Sequence, residues 1–326
     1  ARGGVAAKTA GGTTVGSPDT GAQRAVEVNL IAVLVAVTGG EPRLMTLDGG
    51  KALPSGPFEL EHRSLQSGLR DWVEQQTHHP LGYVEQLYTF ADRDRAEGVA
   101  LGRVISISYL GLTREDAARP SGDSWRSWYD YFPWEDWRSG RPPVVDAVIL
   151  PALNAFANLA ATEAVAAQRR QRFALAFGLA GNEWNEELTL QRYELLFEAG
   201  LVAEAVRGGG EGGAVLPGRE MIADHRRILA TGIARLRAKI KYRPVVFELM
   251  PPAFTLLQLQ RCVEALGGRL VHKQNFRRLV EQQELVKETG ETAAELPGRP
   301  AKLFRFRPAV ELERSIAGTK LPLIRT

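Results

Sequence analysis

The stretch from Thr255 to Arg307 constrains the chain more than any other, because its punctuation fixes the order of four elements. Thr255-Leu256-Leu257-Gln258 has the pattern of a capping box, in which the threonine hydroxyl meets an exposed amide and the glutamine side chain reaches back. Leu256, Leu259, Val263 and Leu266 then share one helical face, and Gly267-Gly268 supplies the stop. A second helix is predicted from about Lys273 to Gln283, with Phe276, Leu279 and Val280 inward and Gln274, Arg277, Arg278 and Glu281 outward. A strand from Leu285 to Glu288, a loop rich in Gly, Pro and Glu, and a strand from Lys302 to Arg307 complete the series.

Helix, tight turn, basic helix and two-stranded hairpin is the order of a winged helix-turn-helix, whose second helix enters the DNA major groove. Lys273, Gln274, Asn275, Arg277 and Arg278 are then candidates for contact with phosphates and base edges. Arg299 and Lys302 stand where a wing would touch the backbone. Charge agrees. Residues 239–326 hold 16 Lys and Arg against 9 Asp and Glu, whereas residues 1–238 hold 25 against 29. The net +3 therefore divides into a basic C-terminal quarter of +7 and an acidic body of −4, as expected of a polyanion-binding module joined to something else. Any solvated helix carries Lys and Arg, so the weight rests on element order rather than charge alone.

Ahead of this module, residues 1–24 are nearly devoid of large apolar groups and are expected to form a disordered tail. Val26 to Val37 and Arg43 to Leu47 read as strands separated by Gly39-Gly40, and Ser64 opens a helix carrying Leu65, Leu69, Trp72 and Val73 on one face. Tyr83 to Phe90 and Val104 to Leu112 are further strands, so the body is α+β rather than a regular βαβ repeat. The segment 125–137 carries Trp125, Trp128, Tyr129, Tyr131, Phe132, Trp134 and Trp137. A buried cluster is the simpler reading of it, and a stacking platform for an adenine or nicotinamide ring the alternative. Pro142 to Arg207 turns helical, a glycine-rich run follows, and another helix is predicted over about 220–241.

The single cysteine, Cys262, excludes an internal disulfide or a multi-cysteine zinc site and reads as a buried apolar residue in a reducing compartment. The longest apolar stretch, Leu30 to Val37, is far short of the ~20 residues of a bilayer helix, so no membrane span is expected. The N-terminus shows no apolar core followed by a cleavage site; a cytoplasmic protein is expected. His78-His79 has no third ligand beside it and reads as surface rather than metal site.

Several stretches together resemble one family. Leu53-Pro54-Ser55-Gly56 followed by Arg70-Asp71-Trp72-Val73-Glu74-Gln75-Gln76-Thr77 resembles a Nudix box. Gln86 to Phe90, then Asp92, Arg95 and Gly102 to Leu110, resemble the strand pair after that box in ADP-ribose-type Nudix proteins, and Asp224-His225-Arg226 resembles their last helix. Phe254-Thr255, Leu259-Gln260 and Asn275-Phe276-Arg277-Arg278 are similar to the fused winged helix of Nudix-related transcriptional regulators of NAD metabolism, closest to the alphaproteobacterial NadQ kind. The resemblance covers about 25–137 and 219–310. It implies a Nudix-like α/β/α sandwich over 25–243, with a helical insertion at 141–218, and a winged helix over 244–326.

A working box reads Arg-Glu-apolar-x-Glu-Glu-x-Gly and holds magnesium through its carboxylates; here those positions are Trp72, Gln75 and Gln76. Neutral amides are poor ligands for a hard cation and an indole is none, so metal-assisted phosphoanhydride cleavage is not expected. Asp71 and Glu74 remain as neighbours that could still hold a weak ion. The combination implies a repressor of NAD biosynthesis genes that needs no cofactor, senses an adenine nucleotide (NAD, ADP-ribose or ATP) and binds a palindromic double-stranded operator as a homodimer. Gln86, Tyr88, Arg95 and Arg103 are the candidate ligand residues, and the 142–206 helices with the aromatic segment are candidates for the dimer interface. The alternatives are a Nudix-type hydrolase of nucleoside diphosphate derivatives with an accessory winged helix, and a helical interaction scaffold.

Overall fold

A computed structural model describes residues 26–79, 81–91, 103–115, 124–207, 216–293 and 300–307. The expected N-terminal tail, Arg95 and Arg299 lie outside the described residues. Two long strands organise the body: β1 (Val26–Thr38) runs parallel to β5 (Arg103–Leu112). Around them stand β2 (Glu41–Met45), the short β3 (Ser55–Pro57), β4 (Tyr83–Phe90) and β6 (Trp125–Ser127), in the order β4-β5-β1-β2-β6, with β3 also paired to β1.

The apolar run in β1 is continuous because both of its faces are covered. Leu30, Ala32, Leu34 and Ala36 pack with Leu69 and Val73 of α1 (Leu65–Thr77), whereas Ile31, Val33 and Val35 face α6 (His225–Lys239). Gly232 lets α6 approach the sheet, since a Cβ there would come within 2.9 Å of Val33. The result is the expected three-layer arrangement of helix, sheet and helix. Ser64 caps α1 through a capping box closed by Ser67, and His78 ends it in the left-handed region.

The aromatic segment is core. Trp128, Tyr131, Phe132 and Trp134 are fully buried, and Trp137 stacks on Trp184 at 4.8 Å. The helices that follow are α2 (Leu150–Asn158), α3 (Glu163–Phe177), α4 (Thr189–Glu198) and α5 (Ala203–Arg207). Leu153, Phe173, Phe177, Tyr193 and Leu196 join the same core cluster as the sheet, so this helical segment shares the body's core.

The predicted helix over 220–241 begins only at His225. Gly218 (φ +131°) and Ala223 (φ 42°) break the preceding chain, and a side chain at Gly218 would strike Arg226 and the Tyr131 carbonyl. The C-terminal module follows the expected order: α7 (Leu256–Gly267), α8 (Lys273–Gln282), β7 (Val286–Ala293) and β8 (Ala301–Phe306). The first wing strand is longer than predicted, because Gly290 (φ +87°) sits at an irregularity in the pairing and lets the strand continue beyond it. His79, expected at the surface, is buried edge-on against Trp125 at 5.7 Å, since the left-handed cap at His78 turns the chain back over the sheet. Cys262 is buried as expected, and burial pushes its thiol up to about 12.

One charged cluster sits at the centre of this core. The Glu135 carboxylate receives Arg192 Nε of α4 at 2.5 Å and Arg237 Nη1 of α6 at 2.5 Å, and all three side chains are 0% exposed. Thr189 Oγ1 donates to the same carboxylate at 3.2 Å. Burial alone would raise the Glu135 carboxyl, but the two guanidinium groups outweigh it and hold it below its ordinary value. Glu135→Gln, which leaves two buried cations without an anion, is expected to cost about 3–5 kcal/mol in urea unfolding. Glu163→Gln in the exposed pair with Arg170 is expected to cost less than about 1 kcal/mol.

Candidate functional site

The box on α1 faces a strap formed by Leu53 to Pro57. Gln76 Oε1 accepts from Ser55 N at 3.1 Å and its Nε2 donates to Ser55 O at 2.8 Å, so the side-chain amide pairs with the strand like another peptide. Trp72 Nε1 donates to Pro57 O at 2.8 Å, and its ring lies over Gly56, where a Cβ would collide with it. Trp72 and Gln76, two of the three positions where the resemblance to a Nudix box would put a magnesium-holding carboxylate, are thus committed to the strap, and the third, Gln75, is exposed with Asp71 and Glu74. An indole and a neutral amide already bonded to the strand do not fit a hard divalent cation.

The strap's other end is fixed by His225 at the start of α6, whose Nδ1 accepts from Leu53 N at 2.9 Å. Burial pushes this imidazole down to about 4, so the neutral ring is the acceptor. Tyr131 Oη and Arg219 Nη2 donate to the carbonyls of Gly50 (2.6 Å) and Gly49 (2.8 Å), pinning the loop ahead of it.

Two of the candidate ligand residues fall on the edge strand. Gln86 and Tyr88 are exposed on β4, Tyr88 at 60%. A bulge between Gln86 and Thr89 turns Tyr88 outward, and the buried Ser108 hydroxyl fills the gap by donating to Tyr88 O at 2.8 Å. Arg103 opens β5 opposite Val26, six positions before Tyr109, the partner of Gln86. Backbone rise places those two sites roughly 20 Å apart along the sheet, so only an extended ligand would touch both.

At the C-terminal module, Thr255 and Gln258 close the expected capping box on α7. Phe276 and Val280 of α8 are buried and Leu279 is half-buried, while Lys273, Gln274, Asn275, Arg277 and Arg278 all face solvent. Among the described residues, Lys273, Arg277 and Arg278 form no ion pair or side-chain hydrogen bond. His272 offers α8 no side-chain cap. Lys302, expected as a wing contact, is exposed on β8 and lies 2.9 Å from Glu288. The cations that sequence inspection missed are Lys287 and Arg305, which face each other across β7 and β8, exposed and without an ion pair among the described residues. Like charges directly opposite destabilise a hairpin, and a polyanion relieves the repulsion. Only strand register reveals that pair.

Residues 246–306 match the family model of the NrtR DNA-binding winged helix domain. A curated relative, the ADPR responsive transcriptional repressor NtrR of Acinetobacter baylyi, is 38% identical over 88 residues, covering 27% of this chain and 34% of that protein. The chain therefore matches about a third of the length of that relative. Two crystal structures of Shewanella oneidensis NrtR share the fold at 18% identity. The one complexed with a 27mer DNA has a TM-score of 0.50 over 90% of this chain and 97% of that one. The other has a TM-score of 0.52 over 87% and 95%. The chain thus has an NrtR-like architecture, with a C-terminal winged helix.

The neutral His225 gives the strap a pH signature. Its stabilisation is complete above the unfolded pKa of about 6.5 and is lost as pH falls toward its folded value of about 4. Wild-type unfolding free energy is expected to decline already between pH 6.5 and 5, ahead of most carboxylates, by on the order of 1–2 kcal/mol. His225→Gln should flatten that part of the profile, and an unaltered slope would contradict the assignment.

Proposed function

We propose that the chain is a ligand-responsive, DNA-binding transcriptional repressor whose Nudix-like body senses an adenine nucleotide and does not hydrolyse it. The observation that carries this reading is the face of α8. Its cations are exposed and unpaired opposite a buried Phe276 and Val280, in a domain that matches a DNA-binding winged helix family. Arg277 and Arg278 would read guanine edges or phosphates in the major groove, with Lys273, Gln274 and Asn275 beside them. Lys287, Lys302, Arg305 and, from the sequence, Arg299 would meet the backbone through the wing.

The relative's description as ADPR responsive favours ADP-ribose over NAD or ATP as effector. Gln86, Tyr88, Arg103 and, from the sequence, Arg95 are the proposed contacts, and an elongated dinucleotide-like ligand suits the spacing of Gln86 and Arg103 along the strand pair. Control of NAD biosynthesis genes, the NadQ type, a cytoplasmic location and a homodimer on a palindromic operator complete the proposal. Inactivity toward phosphoanhydrides would follow from Trp72 and Gln76, whose hydrogen bonds to the strap leave only the exposed Asp71 and Glu74 as acidic groups on that helix. The competing reading, a Nudix-type hydrolase, would need a different base and metal site.

Arg277→Ala and Arg278→Ala are each expected to weaken binding to a selected duplex by about 1–3 kcal/mol with loss of sequence discrimination. The Lys287→Ala, Arg305→Ala double variant should weaken all duplexes alike and lower the salt slope by about 2. Anisotropy titrations over a range of NaCl concentrations measure both effects, and an unchanged affinity in all three variants would remove this surface as the reader. Incubation with ADP-ribose and magnesium should release no AMP; sustained turnover would favour the hydrolase.

A further inference from the structure

The turn between α7 and α8 is held by the body as well as by bonds within the winged helix. Three backbone oxygens at the end of α7 receive donors from outside the module. Tyr129 Oη donates to Ala265 O at 2.7 Å, Arg237 Nε to Leu266 O at 2.9 Å, and Trp137 N to Gly268 O at 2.7 Å. These are the orphan acceptors that every helix leaves at its C-terminus, and Arg237 also places a cation at the negative end of the dipole. Gly268 (φ +69°) is packed so closely that a side chain would collide with the Glu135 carbonyl.

Beyond Gly268, Arg269 adds a charged tie to the body. Arg269 Nη1 lies 3.7 Å from Glu186 Oε2, and the other oxygen of that carboxylate binds Lys241 Nζ at 2.6 Å. Glu186 is 3% exposed and sits just ahead of α4, in the helical segment. Within the turn, Glu264 Oε1 accepts from Val271 N at 3.0 Å, which shapes the turn but does not aim it relative to the body. Recognition helix α8 starts at an uncapped His272 and buries only Phe276, Val280 and part of Leu279, so its own packing leaves its direction weakly set.

We infer that Glu186 of the helical segment is a positioning residue for DNA binding: through Arg269 it fixes the turn that aims α8, and Arg269 serves this contact rather than a phosphate. The inference rests on the DNA-binding reading above. It also gives the helical segment a task, since Glu186 comes from it and meets Arg269 of the turn.

The test uses the full chain and a duplex selected by the wild-type protein from random-sequence DNA. Glu186→Gln, Arg269→Ala and the double variant are titrated with that duplex across a range of NaCl concentrations. Each single variant is expected to weaken binding two- to fivefold, the size of one partly exposed ion pair converted at tenfold per 1.4 kcal/mol. The double variant should be no weaker than the singles, and the salt slope should stay at the wild-type value, because no phosphate contact is lost. The inference is overturned if Glu186→Gln leaves affinity unchanged or tightens it, or if Arg269→Ala lowers the salt slope by about one, the mark of a phosphate contact. Arg269 lies in a partly exposed turn, so its variant stays informative even if Glu186→Gln unfolds. Failure of the selection to yield any duplex would overturn the DNA-binding reading itself, a different outcome.

Discussion

The Glu135 carboxylate, buried with Arg192 and Arg237, is the interaction on which the rest of the molecule depends. Two guanidinium groups and one carboxylate in a dry core are costly to desolvate and are tolerated only when every donor finds an acceptor. Here they do. Arg192 also reaches the carbonyls of Ala176 and Asn185, and Arg237 those of Leu266, Glu186 and Glu135 itself. Both lie against indole faces, Arg192 at 5.1 Å from the Trp184 ring and Arg237 at 5.8 Å from that of Trp128. One cluster thereby joins the aromatic segment, α4, α6 and the end of α7.

That junction changes what the winged helix is. A module on a free linker would be presented to DNA at random, whereas this one has its first helix hydrogen-bonded into the body through Ala265, Leu266 and Gly268. Within the module the wing is joined to the segment ahead of α7, since Phe304 and Phe254 exchange both backbone hydrogen bonds and Phe306 stacks on Phe247 at 4.3 Å. For the proposed effector to alter DNA affinity it must favour one of two arrangements of such packed elements. The strap from Leu53 to Pro57 is well placed for that role, because it is clamped by the box helix at one end and by α6, the helix that carries Arg237, at the other.

Local signals were legible in the sequence and long-range ones were not. The capping box at Thr255, the Gly268 stop and the inward Phe276 and Val280 are written within a few residues of each other, and the module has that form. The alternating environments of Leu30 to Val35 and the buried aromatic segment follow from apolar content alone. Glu135 gave no warning: its partners lie 57 and 102 residues away, and an acidic residue after a tryptophan reads as surface. Tertiary context also decided His79, turned inward by a left-handed cap. Lys287 and Arg305 needed strand register before they could be seen as a pair. In the box, substitution of Trp72 and Gln76 was plain to read, but that both would tie down the strap needed coordinates.

Native-state hydrogen exchange on the full chain tests the central coupling most directly, by comparing amides in the last turn of α7, Cys262 to Gly267, with those of Leu30 to Val35 in β1. Because Arg237 cannot release Leu266 without exposing its charge in the core, the two sets are expected to open with the same free energy, in one cooperative unit. Exchange of the α7 amides at a clearly lower free energy, with β1 still protected, would mean that the winged helix opens on its own and would contradict the coupling.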